Sequence, residues 1–178
     1  MLDRNQFGRS GRRGTGRAAV RPADLGLLGL RLAVGTTLAA HGYPKLFGGP
    51  DRTPPAWLTR LLGPALPAAV ERGGPEAFAS VLERLGVPRP ALAARASGWA
   101  EFGGGLALAA GLVTPAAAAV AAANMAVAVG RAHWASGFYG AREGGYEFAL
   151  LLGVGAAALA LTGPGALSVD ALLGAPRD

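Results

Sequence analysis

Two stretches of this chain carry no charged residue at all: Phe102–Gly130, 29 residues long, and Phe148–Val169, 22 residues long. A helix of about 20 apolar residues crosses a bilayer, whereas a helix on the surface of a soluble protein shows a polar face. Runs of this length leave two solutions, a wholly buried helix or a helix facing lipid. Only 16% of the 178 residues are charged, against roughly 25% in soluble domains. That is too little polar surface to wrap a soluble bundle. The expected class is all-α: a polytopic membrane protein, a four-transmembrane-helix bundle with a long outer loop carrying short amphipathic helices.

Four spans are expected, at about 22–42, 91–112, 115–131 and 146–163, within a transmembrane domain covering 22–173. Asp24 and Arg31 alone interrupt the first. Thr114–Pro115 divides the long charge-free run, because proline suits the first turn of a helix and Thr114 can cap it. The second and third spans then form a hairpin turning at Leu112–Thr114. The third span is mostly alanine, which is near neutral for insertion; a buried helix in a small soluble bundle is its alternative. The outer loop, 43–90, holds two helical stretches, Ala56–Arg72 and Pro75–Leu85. Gly86 and Pro88 end the second. Both are expected on the membrane surface or over the mouth of the bundle.

The net charge of +6 and a pI near 11.0 suggest a nucleic-acid binder at first sight. Residues 1–21 hold six arginines and one acid, a charge of +5, and the remaining chain holds only +1. The basicity belongs to a Gly/Arg-rich segment, SGRRGTGR, expected to be a disordered cytoplasmic tail. It lacks the interleaved aromatics of a nucleic-acid surface, so no nucleic-acid partner is expected. By the positive-inside rule the tail is cytoplasmic. Both termini, including a short tail at 174–178, are then inside. The absence of cysteine removes thiol nucleophiles, disulfides and Cys-ligated metal centres.

Ionisable groups inside spans are costly and mark function or a paired core. Arg31 and Glu101 lie near the middle of the first two spans with opposite signs, so an intramembrane ion pair between them is expected. Gly35, Gly104 and Gly105 are candidates for close helix packing, since small residues let backbones approach in lipid. One membrane face collects His41, Lys45, Trp99, His133 and Glu147. Aromatic belts account for tryptophan at that level but not for His41 and Glu147. This cluster is a candidate for binding a quinone or lipid headgroup, or for relaying protons. Two histidines with no second signature do not make a haem or metal site, and no metal is expected.

Four segments resemble the DoxX family: RLAVGTTLAAHGYPKLFGG, GPEAFASVLERLGVPRP, GWAEFGGGLALAAGLVTPAAAAVAAANMAVA and GGYEFALLLGVGAAALALTGPGALSVD. The shared pattern is an arginine, HGxxKL, a Glu–Phe–Gly–Gly helix, a Gly–x–Glu helix start and GPGxxSxD. The resemblance covers about Leu25 to Leu173, and Asp51–Gly73 looks like an insertion. It implies a small four-helix protein of the bacterial inner membrane, linked to respiratory, sulfur or oxidative-stress redox chemistry. The matching positions are Arg31, His41, Gly42, Lys45, Glu101, Gly104 and Glu147. Implied partners are soluble redox proteins resembling superoxide dismutase or a sulfurtransferase, and the resemblance leaves room for a homo-oligomer. The expected role is a membrane subunit of a quinone-linked oxidoreductase system. A non-enzymatic anchor or scaffold for redox partners is the alternative, and a small transporter a third.

Overall fold

The computed structural model describes residues 20–139 and 144–174. Nearly all of the Arg-rich segment and of the C-terminal tail lies outside them. Among the described residues the chain is all helical, with no strand. Four long helices make the bundle: α1 (Pro22–Phe47), α5 (Pro90–Ala110), α6 (Thr114–Val127) and α7 (Glu147–Thr162). Between α1 and α5 lie α2 (Ala56–Leu62), α3 (Leu66–Glu71) and α4 (Pro75–Arg84), and α8 (Val169–Leu172) closes the described chain. The helix α1 packs chiefly on α5 and α6 on α7, while α5–α6 and α4–α5 complete the bundle. Among the described residues two helices are long and apolar enough to cross a membrane, Pro22–Phe47 and Thr114–Ser136, and α7 is a shorter apolar helix.

Glycine sets the α1–α5 crossing. A Cβ on Gly35 would lie 2.5 Å from the Gly105 carbonyl oxygen and 2.6 Å from the Ala109 nitrogen. A Cβ on Gly105 would meet Gly35 and Ala39 in the same way. Gly42 sits as tightly against the backbone of Phe102 and the Cβ of Glu101. The two helices therefore run antiparallel with Gly35 level with Gly105 and Gly42 level with Glu101. Gly104, expected in this seam, has open space around it and takes no part, because it lies one residue, or about 100°, around the helix from Gly105. The core beneath is aliphatic and small: Val34, Leu38, Leu108, Ala121, Ala156 and Leu159 are among its buried members.

Three local features depart from the sequence reading. First, α1 runs through Pro44 to Phe47 rather than ending near Gly42. Proline removes one helical donor, but the Pro44 carbonyl accepts from the amides of Gly48 and Gly74, and Gly49 donates to Val70. The glycines let the loop pack onto the helix end and hold it. Second, the stretch Ala56–Arg72 is two helices, broken where Gly63 takes φ +100° ahead of Pro64. Third, Thr114 does not cap α6; its hydroxyl is buried with no hydrogen-bond partner. The free amides of Val113 and Thr114 donate instead to the two carboxylate oxygens of Asp170, at 2.7 and 2.8 Å. Helix N-termini favour an anionic acceptor of this kind.

Candidate functional site

The site begins with a buried carboxylate in α5. Glu101 is 4% exposed, and a bare charge there would cost several kcal/mol. It is paired: Lys45 Nζ, near the end of α1, donates to Oε1 at 2.6 Å, and Asn124 Nδ2 of α6 donates to the same oxygen at 3.2 Å. Oε2 is enclosed and has no hydrogen-bond partner among the described residues. Lys45 also lies 4.7 Å from the ring centroid of Phe78 on α4, within cation–π range. The extension of α1 beyond Gly42 is what brings Lys45 level with Glu101.

The expected Arg31–Glu101 ion pair does not form. The antiparallel register puts Glu101 beside Gly42, roughly 16 Å along α1 from Arg31. Arg31 is 1% exposed and lies at the opposite end of the seam, against Gly111, where its Nη2 donates to the carbonyl of Leu167. Its charge acts on Asp170. At the same end Asp24 accepts from the amides of Arg21 and Ala166. Charges from α1 and α8 thus fasten the segment after α7 to the α5–α6 turn. Burial pushes the Asp170 carboxyl up, but the Thr114 and Val113 contacts and the charge of Arg31 outweigh it and hold it below the usual carboxylate range.

Two openings meet at the Lys45–Glu101 pair. One is a groove of about 450 Å³ between α4, α5 and α6, walled by apolar residues such as Val81, Leu82, Ala96, Ala123 and Val127. Its polar groups are Lys45, Glu101, Asn124 and Ser97, with Arg131 and His133. The other is a chamber of about 100 Å³ lined by His41, Lys45, Glu101 and His133 along with Leu38 and Phe148. A volume of that size holds a few waters. After Val127 the helix widens into a π-helical turn, Ala128–His133. Such turns rotate the residues that follow and are frequent at functional sites; here the turn carries His133, which lines both openings.

Of the residues expected to cluster, His41, Lys45 and His133 come together, and Glu101 joins them. Trp99 does not: it is exposed and packs edge-on against Phe47 and Phe102, with ring centroids 6.3 and 6.2 Å away. Glu147 is exposed in the first turn of α7 and lines neither opening. Asn124 and Phe78 were not foreseen. Asn124 is the lone amide side chain in the charge-free run Phe102–Gly130, a signal that could have marked it. Among the described residues no group of three or more acidic or histidine side chains is placed to hold a metal ion.

Neither a curated protein nor a solved structure matches the chain. The DoxX family model matches residues 26–134. That stretch runs from the first turns of α1 through the π-helical turn and contains Lys45, Glu101, Asn124 and both histidines. A match over more than half the chain, overlapping the two described helices that are apolar enough to cross a membrane, makes this a membrane protein of the DoxX family.

Proposed function

We propose that the groove between α4, α5 and α6 holds a membrane-dissolved amphiphile, its apolar body against the alanine and valine wall and its polar end at Lys45, Glu101 and Asn124. One observation carries this reading: a long apolar groove ends on a buried, incompletely satisfied polar triad. Ligand sites have this make-up, mostly apolar with a few converging polar groups. An isoprenoid quinone is the first class to test, because the redox link implied by the family resemblance calls for one. On this reading the chain is a membrane subunit of an oxidoreductase system in the bacterial inner membrane, serving soluble partners. His41 and His133 line the chamber beside the site and would pass protons to and from it, since an imidazole ring can both donate and accept a hydrogen bond.

The accompanying topology has α1, α5, α6 and α7 as spans, both termini cytoplasmic and the groove toward the outer face. The spanning role of α7 is supported by its outward side, where Leu151 is 70% and Leu161 89% exposed. Protein purified in mild detergent, extracted and analysed by mass spectrometry tests the groove. A quinone or other single amphiphile should be recovered from wild type and depleted in Ala123→Trp, which fills the groove wall. Equal recovery from both, or bulk lipid only, overturns the reading.

A further inference from the structure

We infer that the occupant of this groove carries a hydroxyl donor at its polar end, so that of a quinone couple the dihydroxy form binds in preference to the dicarbonyl form. The inference rests on the groove reading above and adds the chemistry of the ligand's head. Lys45 and Asn124 both donate to Oε1 of Glu101, which leaves Oε2 buried without a donor. A carboxylate accepts on both oxygens, and a buried acceptor left unmade is penalised. The groove's other polar side chains, Ser97, Arg131 and His133, supply no donor to it.

Lys45 has three donors. One goes to Glu101, and a remaining one can serve a ligand oxygen of either kind. A carbonyl head can satisfy Lys45 alone. A hydroxyl head satisfies Lys45 with a lone pair and Glu101 with its proton. Glu101 lines the groove, and the terminal torsion of a glutamate is soft. A partial turn of the carboxylate, with the flexible Lys45 side chain following Oε1, would present the enclosed oxygen to the ligand without moving a helix. The difference between the two heads is one hydrogen bond to an ionised acceptor, which corresponds to roughly tenfold or more in affinity.

The test compares 4-decylphenol with its methyl ether, which share ring and tail and differ in the donor. Affinities are measured on the full detergent-purified chain by competition against labelled 4-decylphenol, with Ala123→Trp and Glu101→Gln alongside. The expected result is phenol binding roughly tenfold tighter than the ether, both weakened by Ala123→Trp, and a phenol-to-ether ratio near one in Glu101→Gln, whose amide offers donors of its own. Equal affinities that still respond to Ala123→Trp overturn the donor rule and leave the groove reading standing. Affinities indifferent to Ala123→Trp overturn both. Hexadecanol separates the sources of a hydroxyl: competition by phenol alone points to an aromatic quinol, and equal competition to an alcohol-bearing lipid, either of which supports the donor rule. The wild-type ratio decides the matter by itself should Glu101→Gln fail to elute as a folded species.

Discussion

Gly35 and Gly105 lie backbone against backbone, each occupying the space where the other's side chain would be. Their contact sets the register of α1 on α5 and thereby decides which charges can meet. Gly105→Val should cost at least about 1–3 kcal/mol, as overpacking does in tight cores, and more if the helices cannot part. Gly104→Ala, one residue away with open space around it, should be neutral or slightly stabilising through helix propensity. Thermal unfolding followed by fluorescence-detected size exclusion distinguishes the two. Equal losses for both substitutions would mean the seam is not where the tight contact lies.

How much of this was legible in the sequence follows from what a linear pattern encodes. Long apolar runs and Pro/Gly punctuation locate α1, α5, α6 and α7 because hydropathy and backbone chemistry act locally. They do not encode how far one helix slides along another. Arg31 and Glu101 each sit mid-span and have opposite signs, so they read as partners. A register set by Gly35, Gly42 and Gly105 carries Glu101 to Lys45 and Arg31 to the Leu167 carbonyl. Of the candidate site, His41, Lys45 and His133 were legible because they fall at one level of the bundle. Trp99 and Glu147 fall at a similar level but on outward faces, a rotation that sequence level alone does not give. Asp170 was out of reach for another reason, since its role as acceptor for the α6 amides depends on where the chain returns after α7.

Asp170 should make the α6 terminus acid-sensitive. Its carboxyl is held below the usual carboxylate range, so the ionised form is favoured more in the folded protein than in the unfolded chain. Its contribution is therefore complete above the unfolded value, near 4, and is lost as pH falls through the lower folded value. Asp170→Asn should lower the unfolding temperature at pH 7, and its deficit relative to wild type should shrink at the lowest pH that detergent-solubilised protein tolerates. A deficit that stays constant from pH 7 down through that range would show that the Asp170 charge adds nothing to folding.

The Lys45–Glu101 pair should behave as a buried pair rather than a surface one. Glu101 is 4% exposed, and the Lys45 side chain 28%. Lys45→Met strands a buried carboxylate, which typically costs about 3–5 kcal/mol. Glu101→Gln leaves the partly exposed ammonium able to reach water and should cost less. The double substitution should be more stable than Lys45→Met alone, because it removes the stranded charge. A double-mutant cycle of unfolding free energies reads this directly. Additive losses would show that the 2.6 Å contact contributes nothing specific.

The last prediction concerns the outer surface of α7. Leu151, at 70% exposed, touches little of the bundle. On a water-facing surface Leu151→Asp would be nearly neutral, since isolated surface substitutions usually fall within about 0.5 kcal/mol. If α7 spans the bilayer as proposed, the same change sets a carboxylate against lipid, at a cost approaching the roughly 2.5–3.5 kcal/mol of a charge at the helix centre. Arg60→Asp on α2, exposed in the outer loop, provides a comparison in which one surface charge replaces another. Leu151→Asp should sharply reduce the protein recovered in alkali-washed membranes while Arg60→Asp leaves it near wild type. Normal recovery of Leu151→Asp would place that face of α7 in water and remove α7 from the proposed spans.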